Sequence, residues 1–336
     1  MTTERSRATG RPTLEEVAQR AGVGRGTVSR VVNGSAQVSP RAKQAVENAI
    51  AELGYVPNRA ARTLVTQRTD SIALVIFESG ERFFAEPFFG RIVQSISSVL
   101  VARNLQMVLM ISQAPEERRS LEGYLTRQHV DGALLLSLHG DDPLPALLEE
   151  RGVATVRAGR PTYAERGTFV DADNRGGARE AVEYLRDQGR RCIAAITGPL
   201  DMAAGIARLD GYRDVVGDGP VALGDFSEES GAAAMEELLE LNPEVDAVFA
   251  ASDMMAAGAL RVLRAHGRRV PEDVALIGFD DSVIACHTEP PLTSVDQPIA
   301  EMGREMVRLL LAKIDGEESG DVEVVLPTKL VIRRSA

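Results

Sequence analysis

From Ser71 onward the chain alternates short, continuous apolar runs with longer amphipathic stretches, and no other feature narrows its fold as much. The runs Ile72–Phe77, Gln106–Ile111, Gly132–Ser137, Ala154–Arg157, Cys192–Ile196, Asp246–Ala250 and Asp273–Ile277 lack in–out alternation. That texture suits parallel strands covered on both faces. Between them, Pro87–Arg103 sets Phe88, Phe89, Ile92, Val93, Ile96, Val99 and Leu100 at the i, i+3, i+4, i+7 spacing of a helix packed on one side. Asn174–Gln188 and Ser252–Ala265 repeat the pattern. Strand–helix alternation on this scale predicts an α/β body of two doubly wound parallel-sheet lobes.

The segment before this body differs in charge. The whole chain of 336 residues carries a net charge of −11, which taken alone argues against a nucleic-acid partner. Residues 1–68, however, hold eleven Lys and Arg against five Glu, a charge of +6, while the remainder carries −17. A short basic module joined to an acidic body points to an anionic partner for the module. It is no solvated tail, because Leu14, Val17, Ala18, Ala21, Val28, Val31, Val32, Val46, Ile50 and Leu53 are spaced as apolar helix faces.

The turn chemistry of this module is specific. Thr13 followed by Glu16 forms a capping box that opens a first helix. Gly22 supplies the positive φ of a tight turn, and Val23 plugs the angle before a second helix from about Arg25 to Asn33. Ser39-Pro40 starts a third helix, which ends near Leu53-Gly54. The result is an all-α helix-turn-helix headpiece. Its second helix turns Arg25, Gly26, Thr27, Ser29, Arg30 and Asn33 outward, where Arg and hydroxyl groups can meet phosphates and base edges. Gly22-Val-Gly-Arg-Gly26 also looks like part of a dinucleotide loop, but that loop needs a preceding strand and Leu14–Ala21 reads as a helix.

Other classes fit less well. No P-loop, GxSxG elbow or HExxH motif occurs, and the four histidines show no ligand spacing, so no catalytic residue, metal or cofactor is expected. Two distant cysteines suit a reducing compartment. MTTERSRATGRPT lacks the apolar core of a signal peptide, and no apolar run is long enough to cross a membrane. A soluble protein of the cytoplasm, associated with the nucleoid, is the expectation. A stand-alone sugar receptor of the periplasmic type would account for the body but leaves the basic headpiece unexplained.

Thr13–Asn33, Val38-Ser39-Pro40 and Tyr55–Leu64 resemble the headpiece and hinge of the LacI/GalR family of bacterial transcriptional regulators. The likeness continues through Pro87-Phe88-Phe89, Gly198-Pro199, Arg208–Tyr212, Ser252–Gly258, Gly278–Asp281 and Pro290–Pro298, and so spans nearly the whole chain. It implies a DNA-binding regulator, read as a repressor, whose operator affinity is set by a small effector between two lobes like those of a periplasmic binding protein. Residues 1–57 would be the headpiece and 58–68 a hinge helix and linker. Residues 69–336 would form the effector-binding and dimerisation domain, with a first lobe at 69–168 plus 298–318 and a second at 169–297 plus 319–336.

Carried over residue by residue, the resemblance implies DNA contacts at Thr13, Arg25, Gly26, Thr27, Ser29, Arg30, Asn33, Ser39, Tyr55, Asn58, Arg59 and Leu64, with Leu64 wedged into the minor groove by paired hinge helices. Gly26 has no side chain to read a base, so Arg25 should carry most of the direct readout. Gly24 departs from the usual serine. Effector contacts are expected at Phe88, Phe89, Arg208, Phe226, Ser252, Asp253 and Asp280. An Asp at a strand end can accept from adjacent sugar hydroxyls, an Arg can donate in a fork, and a Phe can stack on a ring. Gly159 and Ser252 depart from residues common in sugar-responsive members. A carbohydrate nevertheless remains the first expectation, with a purine or nucleoside the second. A homodimer on a palindromic double-stranded operator, with no membrane association and no coiled-coil tetramer, completes the reading.

Overall fold

The structure, a computed structural model, describes residues 12–32, 37–56, 68–113, 115–161, 167–317 and 320–336. It divides into two units, Met1–Thr69 and Asp70–Ala336. Asn33, Asn58, Arg59 and Leu64, and with them the expected hinge helix, lie outside the described residues.

The first unit holds helices Leu14–Ala21, Arg25–Val32 and Pro40–Leu53. Thr13 Oγ1 accepts from the Glu16 amide at 3.3 Å, and Glu16 Oε2 accepts from the Thr13 amide at 2.7 Å. This closes the capping box. Gly22, at φ 66°, ends the helix in the left-handed conformation that glycine adopts without strain. Ser39 caps the third helix through the Ala42 amide, with Pro40 at its first position. Val17, Ala18, Val28, Val46, Ala49 and Tyr55 form the core that holds the three helices together. Burying such a side chain stabilises by about 1.5–3 kcal/mol. Tyr55, expected beside the DNA backbone, is 8% exposed and belongs to this core. Its ring supplies apolar area that this small core would otherwise lack.

The second unit contains two six-stranded sheets. The first comprises β1 (Ser71–Ile76), β2 (Gln106–Ile111), β3 (Gly132–Leu136), β4 (Ala154–Ala158), β5 (Phe169–Ala172) and β11 (Glu323–Leu326), ordered β11-β5-β4-β3-β1-β2. All neighbouring pairs are parallel. The second comprises β6 (Ile193–Thr197), β7 (Val221–Leu223), β8 (Ala247–Ala250), β9 (Ala275–Asp280), β10 (Thr293–Asp296) and β12 (Lys329–Val331), ordered β12-β10-β9-β8-β6-β7. Only its β10–β12 pair is antiparallel.

Helices cover both faces of each sheet. In the first lobe Ile72, Leu74 and Ile76 face Phe89, Ile92, Ile96 and Leu100 of helix Pro87–Ala102 and Met302, Met306 and Leu310 of helix Ile299–Asp315. Ala73, Val75 and Phe77 face the other way, onto Leu121, Leu125 and Leu148. The alternation is that of a strand, but both faces are apolar because both are covered, which is why the sequence shows a continuous run.

The expected lobe limits need correction. Phe169–Ala172 and Glu323–Leu326, both assigned to the second lobe from sequence, are neighbouring parallel strands of the first sheet. Val322–Ile332 does not stay in one lobe either. Pro327 lies between β11 and β12, which belong to different sheets, and a proline cannot extend a hydrogen-bond ladder. The chain thus passes between lobes near residues 172–174, 297–299 and 326–329. Two of these crossings are tied together: the Asp173 amide donates to Leu326 O at 2.8 Å, and Thr328 Oγ1 donates to Asp173 O at 3.3 Å.

Candidate functional site: a cleft between two switch points

In each sheet the chain runs outward from the first strand to an edge and then returns to that strand's other side. The strands β1 and β3, and β6 and β8, stay paired to their carboxyl ends, but the connections that leave them turn to opposite faces of the sheet, which leaves a crevice beyond those ends. A cleft enclosing about 990 Å³, its open mouth included, lies there and takes walls from both lobes. Its size is that of a small-molecule site.

The second-lobe wall is built around Arg208, from helix Ala203–Val216. This residue is 4% exposed, and Nε and Nη1 of its guanidinium have polar partners. Nε donates to Asn174 Oδ1 at 2.9 Å, and Nη1 donates to Ala251 O at 2.5 Å and lies 3.4 Å from Asp280 Oδ1. The plane stacks on Phe279, with 3.7 Å from Cζ to the ring centroid. Burial pushes the Arg208 guanidinium below its ordinary value, opposed by the charge of Asp280. Burial pushes the Asp280 carboxyl upward, opposed by Arg208. Gln297 Nε2 donates to Asp280 Oδ1 at 2.5 Å. Asp280 also has a φ of 104°, in the region that favours glycine, so the end of β9 is held in a strained turn that aims the carboxyl into the cleft.

Phe226 has a φ of 73° and forms another part of this wall. Its ring lies over the backbone of Gly198, at the end of β6, where any side chain would occupy the ring's place. The small residue of Gly198-Pro199 thus makes room for the aromatic surface.

From the first lobe, Arg82 lies on helix Gly80–Ala85 and pairs with Glu78 at 3.1 Å and Glu86 at 3.2 Å. Its guanidinium is 5.4 Å from the Phe226 centroid, so the two lobes meet over the cleft. Burial raises the Glu86 carboxyl to about 7, with Arg82 opposing. Arg91 Nη1 donates to Asp280 O at 3.1 Å, a second bridge between lobes. Asp171, at the end of β5, accepts from Asn174 Nδ2 at 2.9 Å and from Arg160 Nε at 3.1 Å. Burial raises the Asp171 carboxyl, and Arg160 counters it.

Of the residues expected from sequence, Phe88, Phe89, Arg208, Phe226 and Asp280 line this one cleft. Phe89 is 1% exposed and serves mainly the first-lobe core. Ser252 and Asp253 do not line it. Ser252 Oγ caps helix Asp253–Ala265 through the Met255 amide and also donates to Phe226 O at 3.4 Å, supporting that residue from below. Asp253 is buried and accepts from Ser294 Oγ and the Ser282 amide, both at 2.6 Å. It ties β10 to the turn after Asp280, and burial together with the Asp280 charge raises its carboxyl. The helix's own amide draws the Ser252 side chain into the lobe, and the donors of the neighbouring Ser282 and Ser294 do the same for Asp253.

Sequence reasoning missed Arg82, Glu86, Asp171, Asn174 and Gln297. Glu86, immediately before Pro87, and Gln297, immediately after β10, stand at element ends, the one signal that could have marked them.

In the first unit Thr13, Arg25, Gly26, Arg30 and Ser39 are exposed, and Thr27 and Ser29 are half-buried. Arg25 pairs with Glu15 at 3.1 Å, and Arg30 Nε donates to Gly26 O at 3.1 Å, so both arginines stand at the open side of helix Arg25–Val32. Among the described residues no group of His, Cys, Asp and Glu is arranged to hold a metal ion, and no helix is long and apolar enough to cross a membrane.

The chain is similar to known proteins along almost its full length. Residues 13–58 match the model described as bacterial regulatory proteins, lacI family, and residues 182–336 match the periplasmic binding protein-like domain. The HTH-type transcriptional regulator CelR of Thermobifida fusca is 57% identical over 334 residues, covering 97% of this chain and 98% of that protein. The chain belongs to the LacI family. As a LacI-family regulator it also resembles solved structures. One, described as a transcriptional regulator CelR–cellobiose complex, is 55% identical, covers 97% of this chain and 100% of that one, and has a TM-score of 0.77. Another is the lac repressor dimer bound to operator and the anti-inducer ONPF, 28% identical over 97% of this chain and 99% of that one, with a TM-score of 0.86. The two-lobed body and helical headpiece are those of this LacI family.

Proposed function

We propose that this LacI-family regulator takes a β-linked glucose disaccharide of the cellobiose type in its cleft, and that the bound sugar sets how tightly a homodimer holds a palindromic operator. The observation that carries the reading is the buried Arg208–Asp280 pair beside the Phe226 ring, in a chain 55% identical to a regulator solved with cellobiose. Asp280 accepts from adjacent hydroxyls, Arg208 and Asn174 complete the polar wall, and Phe226 stacks on a pyranose face. Glu86 and Asp171 add acceptors from the first lobe.

In the headpiece Arg25 reads a base edge, and Thr13, Thr27, Ser29, Arg30, Asn33 and Ser39 hold phosphates or neighbouring bases. Asn58, Arg59 and Leu64 extend contact into the minor groove. The protein works in the cytoplasm as a regulator rather than an enzyme, in keeping with the transcriptional regulators it resembles along almost its full length. Control follows from differential affinity. Sugar bridging both lobes favours one lobe arrangement, and through it one spacing of the paired hinges.

A thermal-shift series with cellobiose, glucose and adenosine tests the ligand class. Cellobiose should raise the midpoint most, because a ligand of the native state alone stabilises it. A rise with adenosine and none with either sugar would overturn the reading.

A further inference from the structure

At the mouth of the cleft a histidine stands between the lobes. His139 follows β3 in the first lobe. Its Nδ1 is 2.9 Å from Oδ2 of Asp201, in the loop after β6 of the second lobe. Its Nε2 is 3.4 Å from Oε1 of Glu78, at the end of β1. The adjoining Gly140 amide donates to Asp201 O at 2.8 Å. Both ring nitrogens therefore face carboxylates, an arrangement that a doubly protonated imidazolium satisfies and a neutral ring cannot. Gly140, Asp141 and Asp142 of the same loop and Met202, beside Asp201, line the cleft, so this contact lies along its rim.

We propose that His139 is a positioning residue that latches the two lobes through Asp201, so that closure of the cleft over a sugar takes up a proton. This rests on the reading of the cleft as a carbohydrate site. The charged surroundings favour the imidazolium. Glu78 is 6% exposed and Asp201 supplies the second carboxylate. Arg82 meets Glu78 from the other side at 3.1 Å but leaves Glu78 Oε1 to the ring. Asp142 is engaged by Arg118 through two bonds of 2.5 and 2.6 Å, and Asp141 adds no positive charge. The Glu78 hydrogen bond raises the His139 value above its ordinary one, burial opposes it, and Asp201 adds to the rise.

The sign follows from where the proton is held more tightly. Opening the lobes removes Asp201 but leaves Glu78, so the closed form binds the proton better. Sugar binding, which favours closure, is then strongest below the open-form value and weakens as pH rises through the closed-form value. An exposed pair of this kind changes affinity about two- to fivefold.

Calorimetric titration of the full-length protein with cellobiose, between about pH 6 and pH 8.5 and in buffers of different ionisation heat, reads both affinity and proton uptake. The wild type should lose affinity about two- to fivefold over that span and take up protons on binding. Asp201→Asn should flatten the profile and abolish the uptake that the latch supplies. His139→Lys, which keeps a cation there, should bind without the decline. Glu86 titrates in the same range, so only the difference between each variant and wild type counts. An Asp201→Asn protein with the full wild-type pH profile would overturn the latch. If cellobiose gives no heat with any variant, the ligand reading fails, and the latch is judged by NMR titration of the His139 ring, assigned by its loss in His139→Gln. Asp201→Asn should then lower its midpoint, and an unchanged midpoint overturns the proposal.

Discussion

Arg208 and Asp280 meet 3.4 Å apart at the second-lobe wall of the cleft, both nearly excluded from solvent. Each offsets the cost of burying the other. Removing the cation strands the carboxylate, so Arg208→Ala should lower stability by about 3–5 kcal/mol. It should also abolish sugar binding while leaving DNA binding by the folded fraction. Denaturant titration, calorimetry and a gel shift check the three effects separately. Sugar affinity at the wild-type level would contradict the role given to the pair.

Phe226 is accommodated because Gly198 has no side chain. Gly198→Ala should push the ring off its seat, weakening cellobiose binding about tenfold, the scale of a lost aromatic contact. Overpacking should cost about 1–3 kcal/mol in stability. Phe226→Ala should lose the same affinity without the packing strain. If Phe226→Ala binds as wild type, stacking is not the ring's function.

Glu86 provides a test by pH. Its folded value of about 7 lies above the ordinary 4.5, so the native state holds more protons than the unfolded chain between the two. Stability contributed by this group is therefore complete below about 4.5 and is lost as pH rises to about 7. Glu86→Gln should remove that loss and gain roughly 1–3 kcal/mol over wild type at neutral pH, with little difference in acid. Thermal midpoints at several pH values measure it. Asp253, also raised by burial, leaves a residual slope in both proteins.

In the headpiece, Arg25→Ala should weaken operator binding roughly ten- to hundredfold, with a far smaller effect on unrelated DNA. Gly26→Ala should leave the fold intact, since an added methyl finds only an ordinary contact with Arg30 at 3.7 Å. It should alter operator preference. Anisotropy with specific and scrambled duplexes distinguishes these outcomes.

The alternation of covered strands and amphipathic helices was legible because burial on both faces leaves a continuous apolar run, as in Ile72–Ile76. Arg208, Asp280 and Phe226 could be named because they stand in recognisable motifs. The lobe limits were not legible. Phe169–Ala172 is only four residues long, and its neighbour Glu323–Leu326 lies far along the chain, so nothing local tells which sheet either joins. Ser252 and Asp253 were misplaced for a different reason: a polar residue at a strand end reads the same whether it faces the cleft, caps the helix behind it as Ser252 does, or ties neighbouring segments together as Asp253 does. Asn174 and Gln297 act through Arg208 and Asp280, partners that only the folded chain brings within reach. Tyr55 stands among the family's DNA-contacting residues, yet the small headpiece core needs its ring.

The central claim is that sugar in the cleft controls the headpiece. It is tested most directly by anisotropy of the full-length protein on an operator duplex selected from a random pool, with and without cellobiose. The account predicts that saturating cellobiose changes the operator Kd by at least about fivefold, the lower end of ordinary allosteric coupling, and leaves Arg208→Ala unaffected. An operator Kd that cellobiose does not change, in a protein that calorimetry shows to be saturated with the sugar, would contradict it.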